Sequence, residues 1–182
     1  MIFLILSFFV GASLGQDILP GSCPEFITKT DFTTEPYLGK WFEIARIPQQ
    51  FQQGQVCNYA EYTDRGDGSV GVHNAGLEED GSFTEIFGYA KPTEVPGSLA
   101  LYLDGVPFAG RYEVLETDYE TYASVYSCLE ILGIGHINQG WILGRNSALS
   151  PEELQTAKGQ FDKWGIDSNA LAMTQQEPCE FP

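Results

Sequence analysis

The chain has 182 residues, 43% of them hydrophobic, and its 25 acidic against 9 basic side chains give a net charge of −16 at neutral pH. That length suits one domain built on a single core. The charge repels phosphate backbones and anionic lipid headgroups, which excludes nucleic acid as an expected partner.

Met1 to Val10 is an apolar run long enough for the core of a signal peptide and too short to cross a bilayer. Ser13 and Gly15 are small residues at the spacing a signal peptidase reads, so cleavage is expected after Gly15, with residues 16–182 forming the domain. Glu177 to Pro182 offers no hydrophobic tail for a lipid anchor, and no later apolar stretch approaches a membrane span. The expected product is secreted and extracellular, with no membrane anchor.

Short strand-like runs then recur with turn residues between them: Trp41 to Ile47, Gln55 to Tyr62, Val70 to His73, Ser82 to Ala90, Ser98 to Tyr102, Arg111 to Thr117, Thr121 to Ser127 and Gly140 to Arg145. The separators, such as Asp64-Arg-Gly-Asp-Gly68 and Glu78-Glu-Asp-Gly81, are rich in residues that fix turns. One helix is expected from Ser150-Pro-Glu-Glu153, where Ser150 caps, Pro151 suits the first position and Glu153 completes a capping box. Leu154, Ala157, Phe161 and Trp164 fall on one face of it, and Gly165 follows as a C-cap. Eight runs and one helix predict an all-β fold, an eight-stranded antiparallel up-and-down β-barrel with one C-terminal helix packed outside. A barrel of that size has room for side chains or for one small ligand.

Cys23, Cys57, Cys128 and Cys179 follow the export signal, and an even number in an oxidising compartment reads as two disulfides. Composition leaves three connectivities open. The cysteines are too scattered for a zinc site, and His73 and His136 are the sole histidines, so no metal is expected.

Gly39-Lys-Trp41-Phe-Glu-Ile-Ala-Arg46, then Thr117-Asp118-Tyr119, then Trp141-Ile-Leu-Gly-Arg145 just before the helix, resemble the three signatures of the lipocalin family. Cys23-Pro24, Cys57-x-x-Ala60-Glu-Tyr-Thr and Tyr126-Ser-Cys128 resemble the branch containing apolipoprotein D, insect bilin-binding proteins, insecticyanin and crustacyanin. The resemblance implies disulfides Cys23–Cys128 and Cys57–Cys179. It also implies that Arg145 lies over Trp41 at a closed barrel end, a structural contact.

Strand alternation puts Trp141 on the same face as Leu143 and Arg145, pointing it inward nearer the ligand. Val70, Val72 and Asn74 share a face; on residues alone Asn74-Ala-Gly76 reads equally as a strand-ending turn, while the resemblance matches Asn74 to an asparagine of the bilin binders. His136 by itself reads as a solvated side chain. The resemblance matches it to a histidine of pigment carriers, a donor for a pigment's polar end. Tyr102, Tyr112 and Phe87 are candidates for the cavity or its mouth, alongside ordinary packing.

The function implied is extracellular binding, transport or storage of a small hydrophobic ligand: a tetrapyrrole such as biliverdin, a carotenoid, a retinoid or a fatty acid. His136 tips the choice toward a pigment, though no cofactor is required. The alternatives are a sequestering lipocalin that captures amines or lipid mediators, and an isomerase-type enzyme. An amine binder needs Glu43, Glu61 or Glu85 inward and unpaired. The chain lacks a Gly-x-Ser-x-Gly elbow, a His-Glu-x-x-His helix and a free thiol paired with histidine, so no catalytic residue is expected. Gly66-Asp-Gly68-Ser-Val-Gly71 has phosphate-loop spacing but no helix after it, and reads as a hairpin turn. Beyond the ligand, a second copy of the chain and a cell-surface receptor remain as further partners.

Overall fold

Short polar connections favour pairing between strands adjacent in sequence, because a hairpin aligns two antiparallel strands with little chain between them. The computed structural model describes residues 18–181, and the expected leader, Met1 to Gly15, lies outside the described residues. Strands β1 Gly39–Arg46, β2 Val56–Asp64, β3 Val70–Leu77, β4 Phe83–Pro92, β5 Ser98–Leu103, β6 Gly110–Thr117, β7 Tyr122–Ile131 and β8 Gly135–Gly144 follow in order. Helix α1, Pro151–Asp162, and a two-residue strand β9, Ala172–Met173, complete the series. Each strand from β2 to β8 pairs antiparallel with its neighbour, and β1 pairs with both β2 and β8, which closes an eight-stranded barrel.

Two apolar layers follow from alternation. Trp41, Val72, Val114, Val125 and Leu143 fill the interior. Ile44, Tyr126 and Ile142 point the other way and meet Ala157 and Phe161 of α1. The walls under the helix are therefore apolar on both faces, and Tyr122 to Cys128 of β7 is buried without a break. Ser150 and Glu153 form the capping box, each side chain accepting from the other's backbone N–H, and Gly165 takes a φ of +71° after the helix.

β3 runs four residues further than its composition suggested. Asn74 pairs with Ala60 and Ile86 in mid-sheet, so the turn reading of Asn74-Ala-Gly76 gives way to strand. Gly66 and Gly68 do form a hairpin turn, with Asp64 accepting from the Gly66 N–H and Asp67 from Ser69. Gly88 of β4 is needed for close approach: a Cβ there would lie 2.1 Å from the Tyr102 carbonyl oxygen of β5.

Disulfides join Cys23 to Cys128 and Cys57 to Cys179. The second lies at a seam. β1 and β2 pair from Gly39 to Phe42, and beyond a bulge at Glu43/Ala45 the chain after β9 occupies the space between them. There Thr174 N–H donates to the Ile44 carbonyl, Cys57 N–H to that of Gln175, and Gln176 Nε2 to those of both Glu43 and Asn58.

Candidate functional site: the barrel interior

One end of the barrel is shut by the three signature segments. The Arg145 guanidinium lies 3.8 Å from the centre of the Trp41 ring and donates to the carbonyls of Tyr119 (2.9 Å), Lys40 (3.1 Å) and Pro36 (2.7 Å). Gly39 has a φ of +94°, a backbone conformation that favours glycine. Thr117 Oγ1 donates to the Tyr122 carbonyl and accepts from Tyr119 N–H, while Asp118 accepts from the N–H groups of Glu120, Thr121 and Tyr122. Burial pushes the Asp118 carboxyl up, but these donors outweigh it and hold it below the usual carboxylate range. This turn leaves Tyr119 at a φ of +68°, aiming its carbonyl at Arg145.

Above that plug lies a small cavity of about 30 Å³. Val70, Val72, Leu99, Leu101 and Ala90 make its apolar walls; Phe32, Thr34 and Tyr37 from the segment before β1, with Tyr62, Tyr112 and Asn74, complete it. None of these side chains is charged. Tyr37 Oη lies 2.7 Å from Tyr112 Oη, which lies 2.9 Å from Tyr62 Oη. Burial raises all three phenols, Tyr62 to about 12. The Tyr37 ring is 5.1 Å from Trp41 and 5.5 Å from Tyr62, centre to centre, and Trp41 Nε1 donates to the Tyr37 carbonyl at 2.8 Å.

Towards the β1–β2 connection the interior becomes polar. Arg46 pairs with Glu43 and donates to the carbonyls of Gln52 (2.8 Å) and Gln55 (2.9 Å). Glu43 also accepts from Gln52 Nε2 (3.0 Å) and Thr174 Oγ1 (2.7 Å). Trp141 Nε1 donates to Gln52 Oε1 at 3.2 Å.

Among the expected site residues, Val72, Asn74 and Tyr112 line the cavity. Trp141 packs against the interior cluster as its alternation with Leu143 implies, but it is not part of the cavity wall. Three expectations are corrected. His136 shares the face of Ile142, which meets α1, so it lies on the outer wall; its Nδ1 is 3.0 Å from the Gly21 carbonyl and its backbone pairs with Leu19. Phe87 points outward and stacks on His73 at 4.4 Å, and Tyr102 points outward and stacks on Tyr89 at 4.8 Å. For Tyr102 the deciding signal was present: Leu99, Leu101 and Leu103 alternate around it and take the interior. Tyr62 was legible in the same way, from its alternation with Ala60, whereas Phe32 and Tyr37 lie in a segment with no strand period to reveal them.

The carboxylates that an amine binder needs are not available. Glu43 is buried but fully paired, Glu61 is exposed, and Glu85 is exposed and pairs with His73 at 2.9 Å.

The lipocalin-like domain family model matches residues 32–176. Apolipoprotein D of Bos taurus is 38% identical over 171 residues, covering 93% of this chain and 90% of the relative. The outer membrane lipoprotein Blc of Vibrio cholerae is 33% identical over 181 residues, 97% of this chain and 98% of that one. Insecticyanin from the tobacco hornworm Manduca sexta shares the fold at a TM-score of 0.80, with 22% identity, 92% of this chain and 94% of that chain covered. A barrel shut by stacked Trp41 and Arg145, the Thr117-Asp118-Tyr119 turn and a domain match spanning all eight barrel strands lead to one conclusion: the chain belongs to the lipocalin family.

Proposed function

We propose that this protein is an exported, non-enzymatic carrier or store for one small, largely apolar and uncharged molecule held inside the barrel. The observation that carries the reading is the cavity itself, walled by aliphatic and aromatic side chains with a few neutral polar groups and no charge. Burying roughly 300 Å² of apolar ligand surface at about 25 cal/mol per Å² yields roughly 7 kcal/mol before ordering costs, enough for useful binding. Two long-range disulfides fit folding in an oxidising compartment and support export.

With about 30 Å³ of free volume, room for about two water molecules, the interior takes a cargo only as its side chains move aside. A retinoid, being smaller, demands less of that movement than biliverdin or a carotenoid. The preference for pigment rested on His136, which faces the outer wall. Titration with retinol, arachidonate, biliverdin and a carotenoid, followed by tryptophan fluorescence, tests the reading. Retinol is expected to bind more tightly than about 10 μM, near −7 kcal/mol, and Ala90→Leu, which grows into the cavity, should weaken binding at least about tenfold. No binding by any of the four, or unchanged affinity in Ala90→Leu, refutes it.

A further inference from the structure

Helix α1 packs on β6, β7 and β8 and leaves the outer wall of β2 to β5 without a covering helix. Aromatic side chains stand on that open wall. His73 stacks on Phe87 at 4.4 Å and Tyr89 on Tyr102 at 4.8 Å, while Phe181 of the C-terminal segment lies 6.1 Å from Phe83, centre to centre. Phe83, Phe87, Tyr102 and Phe181 keep 38%, 48%, 37% and 39% of their surface exposed. An aromatic side chain covers about 150–250 Å² when fully buried, so these four leave roughly 300 Å² of aromatic surface uncovered, a patch of the size that marks an interaction site.

The charges on this wall are ordered along β4, whose outward residues are Phe83, Glu85, Phe87, Tyr89 and Lys91. Glu85 lies two residues to one side of Phe87 and contacts His73 at 2.9 Å. On the other side, Arg65 and Lys91 lie 4.9 and 5.5 Å from the centre of the Tyr89 ring, and neither forms an ion pair among the described residues. In a chain with 25 acidic and 9 basic side chains, two cations resting on a ring without a carboxylate are out of the ordinary. The acids of the nearby turn are engaged at home: Asp64 accepts from Gly66 N–H, and Asp67 from the N–H and hydroxyl of Ser69. The wall thus has an acidic half and a basic half on either side of Phe87.

We infer that the outer wall of β2 to β5 is the face on which two copies of this chain associate, about a two-fold axis passing near Phe87 and His73. A two-fold contact brings each half of a surface onto the opposite half of the second copy, so a wall divided into acid and base is complementary to itself. Residues two apart on a strand are about 6.6–6.8 Å apart, and equal steps either side of Phe87 therefore meet. Arg65, over Tyr89, faces Glu85 of the second copy, and Lys91 faces the Phe83 ring of the second copy. Each contact is made twice, around a core of His73 and Phe87 rings. At physiological salt the Debye length is about 8 Å, so acids on the far walls oppose this approach little. The aromatic core amounts to roughly 600 Å² over two copies, and the flanking charged groups bring the total near the lower bound of about 1,000 Å² for a specific interface. The contact lies on the side of the barrel, and Arg65, Glu85, Phe87 and Lys91 do not line the cavity.

Sedimentation equilibrium of the intact, disulfide-bonded protein at physiological salt, at concentrations up to about 500 μM, tests this; the expected result is a monomer–dimer equilibrium with a dissociation constant of about 10–100 μM. Arg65→Glu and Glu85→Arg should each weaken self-association at least about tenfold, because each sets like charges against one another twice. Mixing the two variants should restore association to within about threefold of wild type, since every contact between unlike chains then joins opposite charges. Both substitutions are on exposed side chains, so melting temperatures should stay within about 2 °C of wild type. Phe87→Asp, at the axis, should abolish the dimer in the same concentration range; should that variant not fold, the two charge variants and their mixture decide the matter. A wild type that stays monomeric throughout overturns the inference and leaves the face to a different protein. Undiminished self-association in both charge variants, or a mixture that associates no more than either variant alone, overturns it and moves the dimer contact to another wall.

Discussion

Replacing Arg145 by alanine removes one side chain that ties three parts of the closed end together: the segment before β1 through Pro36, β1 through Lys40, and the β6–β7 turn through Tyr119. A hydrogen bond from a charged donor is worth about 1.5–3 kcal/mol and the stack on Trp41 about 0.5–2 kcal/mol. Those values do not simply add, because the contacts to Lys40 and Pro36 are exposed and water can replace the lost donor there. Discounted for solvent, the loss is roughly 2–3 kcal/mol. For a chain of this length, about 2–4 °C per kcal/mol converts that into a fall in melting temperature of about 4–12 °C. Arg145→Lys should recover only part of it, since an ammonium cannot both stack on the indole and reach three carbonyls. Thermal melts by circular dichroism with disulfides intact give the first number, and ligand titration below the transition gives the second. Affinity should stay within a few-fold, because Arg145 does not line the cavity. A melting temperature lowered by less than 2 °C, or lost affinity at unchanged stability, refutes the structural role.

The carboxyl of Asp118 titrates below its ordinary 3.8, so its contribution to stability is complete above that value and is lost as pH falls through the lower, folded-state value. Between pH 6 and pH 2 wild-type stability should therefore fall more steeply than that of Asp118→Asn; parallel acid-unfolding curves would count against the capping role. Gly88→Ala forces a methyl onto the Tyr102 carbonyl and should cost about 1–3 kcal/mol through strained β4–β5 pairing, measured by chemical denaturation; a neutral effect would mean that these strands can part freely.

The barrel was legible because its closed end is encoded locally. Gly39, Trp41 and Arg145 mark positions where a positive φ, a large ring and a cation must coincide, and the Ser150-Pro-Glu-Glu153 cap fixed the start of the helix. Cavity residues were harder to read. On β4, Phe83, Glu85, Phe87 and Tyr89 alternate with Thr84, Ile86, Gly88 and Ala90, so both faces carry apolar residues and alternation left Phe87 open between the cavity and ordinary packing. The interior took the smaller set, and the aromatic face stacked on His73 outside. His136 misled for a different reason: its surroundings come from Leu19 and Gly21, more than a hundred residues away, a contact that alternation within β8 cannot reveal.

The seam between β1 and β2 gives the barrel a built-in order of assembly. Every other wall joint links strands adjacent in the chain or, for β1 and β8, strands that pair directly along their length, whereas this one is filled by residues around Thr174 to Gln176, with Cys57 and Cys179 separated by 122 positions. During synthesis from the N-terminus the sheet from β2 through β8 can pair before the filling segment exists, leaving Ile44, Cys57 and Asn58 with open backbone partners and one side of the vessel split. The wall becomes watertight only when the distal segment zips in. Pulse-labelling hydrogen exchange during refolding should accordingly protect the Cys57 and Thr174 amides after those of β3 and β7, and simultaneous protection would show that the split never opens.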